Sequence, residues 1–183
     1  MQALWFLIDT LASFLAGSLL LRGYMNWLGL RGRDPLSQFI FAITDWCVLP
    51  LRKMMPARGR WDLSSFMAAI LIALVAAIAF NLIVGRGMIP MLGSSLLLAL
   101  SWLIKWTLYT AMMILLMSVV LSWVNPQAPM APLLNALTRP ILEPIRRVIP
   151  LVGGVDLSPM AAIIAIQFLL MLSSSLFSMG WLK

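Results

Sequence analysis

The sequence contains no histidine, one cysteine and few charged residues. Without histidine, the chain lacks the commonest metal ligand and the side chain that most often transfers protons near neutral pH. The single cysteine, Cys47, excludes an intramolecular disulfide and any zinc or iron–sulfur site built from cysteines. Charged residues make up 10% of the chain, against roughly 25% in an ordinary soluble domain. The composition therefore argues against a soluble protein and against most metal sites.

Long apolar stretches are what the sequence has in abundance. Hydrophobic residues make up 62% of the 183 residues, and a helix needs about 20 of them in a row to cross a bilayer. These stretches lack the two-residue alternation of a membrane β-barrel, so each is predicted to be a helix. The sequence predicts an all-α membrane protein with four transmembrane helices, within residues 3–30, 64–84, 96–124 and 158–182.

The basic residues fall mainly on one side of these helices. Seven of the thirteen lie near the connection between the first two helices, and three lie near the connection between the last two. Short loops that carry an excess of lysine and arginine usually face the cytoplasm. Both charged connections are therefore predicted to face the cytoplasm, which places both termini outside. The opening MQALWFLIDT has no basic residue, so the first helix is expected to be retained.

The formal charge of +7 follows mostly from this orientation. A basic cytoplasmic face attracts anionic lipid headgroups, which lie beside it in the bilayer. Lipid is therefore a nearer partner than nucleic acid. We expect the bilayer, with anionic lipid at the cytoplasmic face, to be one partner. A protein partner or a second copy of the chain is the other expectation.

The two charged connections repeat one another at an offset of 94 residues. Eight of the 21 positions from Thr44 to Ser64 are identical to those from Thr138 to Ser158. Each copy enters the membrane from the same side, which predicts two parallel two-helix repeats related by a pseudo-two-fold axis along the membrane normal. The predicted repeats are residues 1–87 and 88–183, within one integrated membrane domain.

The connections are too apolar to be free loops. Polar residues at positions 34, 37, 38, 45 and 52 recur at helical spacings and form one stripe on an apolar segment. The second connection continues the pattern, and Arg139, Glu143 and Arg147 are spaced for i,i+4 pairing. Each connection is predicted to contain an amphipathic helix in the plane of the cytoplasmic surface.

Prolines and charges mark a corner after each of these helices. Pro50 and Pro144 are predicted to break or kink the helix, because proline lacks a backbone donor. Two roles remain open for the aspartates that follow: they suit the N-terminal dipole of the next helix, which Ser64 or Ser158 would cap, or they pair with arginine across the corner. The candidate interaction residues are Arg52, Pro56, Asp62, Ser64, Arg146, Arg147, Pro150, Asp156 and Ser158.

Ionisable residues inside a membrane segment are candidate functional residues. Asp9 and Lys105 occupy nearly the same place in the two repeats, so they are a candidate intramembrane pair. The alternative is that Lys105 extends to the outer interface beside its neighbouring tryptophans. Asn81 and Gln167 are the other polar candidates within the spans.

The corner blocks carry a family resemblance. The second block, RPILEPIRRVIPLVGGVDLSP, closely resembles the pattern of the YggT family of bacterial integral membrane proteins, which is related to the YlmG proteins of Gram-positive bacteria and plastids. The first block departs from it at Trp46, Lys53 and Ser65. The resemblance implies a bacterial inner-membrane protein without established activity. It also implies a link to osmotic or extracytoplasmic stress, and supplies no catalytic residues.

These observations favour a non-enzymatic scaffold or assembly factor over other functions. No nucleophile–base spacing stands out, so we expect no enzymatic activity and assign no catalytic, cofactor-binding or metal-binding residue. The alternative is an ion or small-solute conduit, which would need a hydrated path lined by Asp9, Lys105, Asn81 or Gln167.

Overall fold

The computed structural model describes residues 2–30, 34–54, 61–84, 88–149 and 156–178. The described residues form six helices in chain order: α1 (Gln2–Trp27), α2 (Pro35–Met54), α3 (Leu63–Val84), α4 (Met88–Val124), α5 (Ala131–Arg146) and α6 (Ser158–Ser178). The predicted all-α fold class is confirmed.

Four of these helices are long and apolar enough to cross a membrane: Ala3–Trp27, Leu63–Ile83, Gly93–Val124 and Ser158–Leu176. They correspond to the four predicted stretches. The predicted start of the third helix was wrong, because α4 begins at Met88 rather than near residue 96. Pro90 lies in the first turn of α4, where its missing N–H breaks no intrahelical bond, so the helix can begin before the apolar run.

Three helices form the centre of the bundle. α1 packs closely along α3, and α4 packs against both. Their common interface is a cluster of small residues with one large one, Trp106. Small side chains let helix backbones approach closely inside a membrane, where dispersion rather than water exclusion drives association. The buried members of the cluster are Ala16, Ala73, Ala76, Ala77, Ala99 and Trp106.

α6 lies at the edge of this arrangement. It packs on α4 and α5, and no extensive packing joins it to α1 in the part of the chain that the structure describes. A pseudo-two-fold axis would place α6 against α1 just as α3 lies against α4. The observed packing differs from that prediction: α3 packs extensively against α4, but α6 makes no matching contact with α1 among the described residues.

The short helices α2 and α5 lie at the same end of the bundle. Ile40 of α2 and Leu134 of α5 belong to one buried cluster together with Met25, near the end of α1. The hydroxyl of Tyr24 donates a hydrogen bond to the carbonyl oxygen of Leu137 at 2.8 Å. α1 therefore contacts α5 both through this hydrogen bond and through apolar packing.

Equivalent positions of α2 and α5 are buried. α2 buries Ile40, Thr44 and Val48, and α5 buries the residues 94 positions later, Leu134, Thr138 and Leu142. Their outward faces differ in chemistry. α2 exposes the apolar side chains of Phe39, Trp46 and Leu49, whereas α5 exposes the polar side chains of Asn135, Arg139 and Glu143.

Of the two outcomes predicted for Pro50 and Pro144, a break or a kink of the helix, the break was wrong. α2 continues through Pro50 to Met54, and α5 continues through Pro144 to Arg146. Both prolines are exposed and lie in or near the last turn, where each removes a single backbone hydrogen bond. Pro56 and Pro150, predicted to end the next turn, lie outside the described residues.

Candidate functional site: two polar corners at one end of the helices

The first corner lies where α2 meets α3 and is built around Asp62, whose side chain is 2% exposed. Its Oδ2 accepts hydrogen bonds from Arg52 Nη2 at 2.7 Å, Asn26 Nδ2 at 2.6 Å and Ser65 Oγ at 2.9 Å. These donors come from α2, α1 and α3. One buried carboxylate thus joins three helices, and a buried charge is tolerated where several donors satisfy it.

The second corner repeats the ion pair in an exposed setting. Asp156 Oδ2 accepts hydrogen bonds from Arg146 Nε at 2.8 Å and Arg146 Nη2 at 2.7 Å. The side chains of Asp156 and Arg146 are 29% and 53% exposed. α4 supplies no side-chain donor to Asp156 among the described residues. The two corners therefore share an ion pair but differ in solvent access.

Aspartates rather than serines accept backbone hydrogen bonds at the start of the helices that follow. Asp62 Oδ1 accepts a long hydrogen bond of 3.4 Å from the backbone N–H of Ser65, and Asp156 Oδ1 accepts one of 2.9 Å from that of Ser158. The prediction that Ser64 and Ser158 are the N-caps was therefore wrong. Ser64 and Ser158 lie inside their helices rather than before them, since α3 begins at Leu63 and α6 at Ser158.

A groove runs beside the exposed face of α5. It has a volume of about 440 Å³ and is open to the surface. Glu143 lies between two arginines in this region, at 3.5 Å from Arg139 and 3.4 Å from Arg147. The predicted i,i+4 pairs are therefore confirmed, although exposed pairs of this kind contribute little to stability. The groove is lined by Asn135, Thr138, Arg139, Glu143 and Arg146.

Sequence reasoning missed a second polar network beside the first corner. Arg22 of α1 is 5% exposed and donates from Nη1 to Thr44 Oγ1 and Asp45 Oδ1, both at 2.7 Å. Its guanidinium also lies 4.8 Å from the ring centre of Phe41, within reach of a cation–π interaction. The i,i+4 spacing of Arg22 and Asn26 was the available signal, because it places both on the side of α1 that meets the corner.

The candidate pair Asp9 and Lys105 is not joined in the structure. Within the described part of the chain, no hydrogen bond or ion pair connects their side chains, and both are half-buried. Asn81 is buried and donates from Nδ2 to Ser95 Oγ at 2.8 Å, which links α3 to α4. Gln167 lies exposed on α6. Within the described residues, no hydrogen bond or ion pair therefore joins Asp9, Lys105, Asn81 and Gln167 to one another.

The ion pair of the second corner makes the stability of the protein depend on pH. Desolvation raises the pKa of Asp156, but the hydrogen bonds from Ser158 and Arg146 outweigh it and leave the pKa below its usual value of 3.8. A lowered pKa in the folded state stabilises the protein above the unfolded pKa, and this contribution is lost as the pH falls through the folded pKa.

We therefore expect Asp156→Asn to lose less stability than the wild type between about pH 5 and about pH 2. Unfolding midpoints in detergent across that range measure this. The matched control is Glu143→Gln, which removes an exposed carboxylate outside the ion pair. An unchanged acid response in Asp156→Asn would contradict the assignment.

The described residues offer no metal centre. They contain no group of three or more Cys, Asp or Glu side chains placed to hold a metal ion. Burial raises the pKa of the Cys47 thiol, which keeps it protonated at neutral pH. The chemistry available at the corners is thus ion pairing and hydrogen bonding.

The fold and the corners define an all-α, multi-pass membrane protein whose charged connections lie at one end of four apolar helices. Comparison with known families agrees with the resemblance carried by the corner motifs. The family described as CCB3/YggT matches residues 1–83 and 97–177. The chain belongs to the CCB3/YggT family.

Relatives in several bacteria cover most of the chain. A protein named "Uncharacterized protein YggT" from Escherichia coli K12 is 34% identical over 167 residues, covering 90% of this chain and 85% of the relative. One from Vibrio alginolyticus, named "Uncharacterized protein in proC 3'region", is 31% identical over 184 residues and covers both chains fully. One from Pseudomonas aeruginosa is 35% identical over 169 residues, covering 91% of this chain and 86% of its own. No solved structure matches the chain.

Proposed function

We propose that the protein is a non-enzymatic scaffold of the bacterial inner membrane, and that its second corner binds a partner protein at the cytoplasmic face. The observation that supports this is the difference between the two corners. The first corner buries its aspartate, Asp62, which accepts hydrogen bonds from three helices. The second keeps the same ion pair but leaves it beside an open groove.

The first corner has a structural role in this proposal. Asp62 joins α1, α2 and α3 through a carboxylate that is 2% exposed, although its partner Arg52 is 37% exposed. Such a cluster fixes the angle at which α2 leaves the membrane helices. The short helices lie as in-plane helices at the cytoplasmic surface, and the two hairpins are parallel repeats with both termini outside.

The second corner presents groups that a protein partner can recognise. Arg139 and Arg147 are 75% and 77% exposed, and Glu143 lies between them at 49%. This alternation of signs suits a complementary charged segment more than a uniformly anionic surface, because Glu143 would repel phosphate groups. Anionic lipid headgroups contact the basic residues around the groove.

The cellular setting is assembly or protection of inner-membrane machinery under osmotic or extracytoplasmic stress. A scaffold needs no catalytic residue, and the relatives carry no enzymatic name. The supporting geometry is the groove of α5, which is open to the surface of the protein.

An ion or small-solute conduit is the second candidate, favoured by one observation. Asn81 is fully buried in α3, and its Oδ1 has no hydrogen-bond partner. A buried amide oxygen without a partner carries a desolvation cost and suits a bound water or ion. Ion flux into liposomes that is abolished by Asn81→Leu would favour the conduit.

Photo-cross-linking in cells tests the scaffold proposal. A photoreactive amino acid replaces Glu143, which lines the groove, or Leu49, the exposed residue 94 positions earlier on α2. We expect a discrete protein adduct at position 143 that position 49 does not give, because Glu143 lines an open polar groove whereas Leu49 lies on the apolar outer face of α2.

The same adduct should weaken when Arg139→Ala is added and persist when Lys53→Ala is added. Lys53 is an exposed basic residue at the end of α2 and serves as the charge-matched control. Identical adducts at positions 143 and 49, or lipid adducts alone at both, would contradict a partner-binding second corner.

A further inference from the structure

The two halves of the chain use corresponding residues for corresponding contacts. The segments matched by the family begin at residues 1 and 97 and end at residues 83 and 177. The offset is therefore 96 residues at the start and 94 at the end. In agreement, Leu19 and Leu115 are both fully buried, and so are Ser64 and Ser158. α1 corresponds to α4 at an offset of 96, and α3 corresponds to α6 at 94.

The inside of each hairpin follows this correspondence. In the first, Leu19 of α1, Val48 of α2 and Ala68 of α3 form one buried cluster. In the second, Leu115, Leu142 and Ala162 form the corresponding cluster between α4, α5 and α6. Ile72 and Ile166 also correspond and pack at the same places. α3 and α6 therefore face their own hairpins with the same side.

A different side of α3 joins the two hairpins. Ala73, Ala76 and Ala77 pack against Ala99 and Trp106 of α4. Near the far end of the same contact, the ring of Phe80 lies 5.9 Å from the ring of Trp102. The second helix of one hairpin thus docks on the first helix of the next.

The corresponding surfaces at the two ends of the chain are exposed. On α6, the positions that match Ala73, Ala77 and Phe80 are Gln167, Met171 and Ser174, whereas Leu170, which matches Ala76, packs half-buried against its own hairpin. On α1, the positions that match Trp102 and Trp106 are Phe6 and Thr10. Apart from Leu170, all of these positions are exposed, with Met171 at 76% and Phe6 at 67%. The contact between α3 and α4 therefore occurs once within the chain. The surface of α6 that matches α3 and the surface of α1 that matches α4 both contain exposed side chains.

Gln167 shows that lipid is a poor occupant of the α6 surface. It lies near the middle of the span Ser158–Leu176, exposed, and its amide forms no hydrogen bond within the described residues. An amide that faces hydrocarbon without a partner is costly. Between membrane helices, glutamine side chains form interhelical hydrogen bonds that favour association. A polar residue at this position therefore indicates a helix partner.

We infer that α6 of one copy packs against α1 of the next copy, as α3 packs against α4 within the chain. A second copy is the occupant because it carries the complementary surface, the side of α1 that corresponds to the docking side of α4. The contact is head-to-tail, so its repetition gives a ring where the rotation between copies closes and an open array where it does not. In this assembly Phe6 of one copy lies opposite Ser174 of its neighbour.

Disulfide cross-linking between two differently tagged chains tests this contact. One chain carries Phe6→Cys, the other Ser174→Cys, and both carry Cys47→Ala. Because each chain has a single cysteine, a disulfide can form only between chains. We expect oxidation in membranes to give a band of twice the chain mass that carries both tags.

Leu172→Cys in place of Ser174→Cys is the matched control. Leu172 is also exposed and lies two residues away, but it points to nearly the opposite side of α6 at 100° per residue. We expect little cross-linking with it. Native mass spectrometry should also show the wild type as a multiple of one chain, and Gln167→Leu should shift it toward the monomer.

Equal cross-linking at positions 174 and 172 would overturn the proposal, as would a wild type that is monomeric in both membranes and mild detergent. A different protein cross-linked at position 174 would also overturn it. These results are independent of the partner at the second corner, because positions 6 and 174 lie within the membrane spans rather than at the groove.

Discussion

Asp62→Ala is expected to destabilise the protein by about 3 kcal/mol, because it leaves the side-chain donors of Asn26 and Ser65 without an acceptor. Arg52 also loses its counter-charge, but it is 37% exposed and regains water. The carboxylate is 2% exposed, so water cannot replace it. Loss of the helix cap adds to the effect. Unfolding by SDS, followed by circular dichroism, measures the change.

Asp156→Ala is the matched variant at the second corner. The same ion pair is broken there, but its side chains are 29% and 53% exposed and regain water. We expect a loss of about 1 kcal/mol, since exposed ion pairs contribute little and the cap contributes most of the remainder. Equal losses at the two corners would show that the first is not the structural one.

Asp45→Ala is expected to cost about 3 kcal/mol, more than removal of its partner Arg22. The reason is the unequal burial of the pair: Arg22 is 5% exposed and Asp45 is 43% exposed. Without Asp45, a buried guanidinium keeps only the Thr44 hydroxyl and the face of Phe41. The free energy of unfolding in SDS again measures the loss.

Arg22→Met should cost about 1 kcal/mol, because the remaining Asp45 is partly hydrated and methionine fills the space of the arginine stem. Combining the two substitutions should return stability to near that of Arg22→Met alone. A double variant as unstable as Asp45→Ala would mean that the buried charge is not the cause.

The membrane helices and the corner residues could be predicted from the sequence because they follow from local patterns. Four apolar runs long enough to cross a bilayer gave the four spans, with an error only at the start of α4. The recurrence of Arg52, Asp62, Arg146 and Asp156 at one offset identified the residues that form the two corner ion pairs in the structure.

The remaining features depend on contacts between distant parts of the chain. The offset changes from 94 to 96 residues between the corners and the first helices, so a single offset placed Asp9 and Lys105 two residues out of register. Burial of Arg22 depends on Asp45, a residue of another helix. The docking of α4 against α1 and α3 depends on a stripe of alanines, which composition does not distinguish from other apolar residues.

The Arg22–Asp45 pair also constrains how the chain enters the membrane. Arg22 is made and presented to the lipid before its partner, which follows 23 residues later in the sequence. Until α2 arrives, the guanidinium must reach toward the headgroups at the end of α1, as long basic side chains do. The ion pair that neutralises Arg22 can therefore form only after α2 has been synthesised. α4 contains no arginine, so the second hairpin does not depend in this way on a partner that is synthesised later.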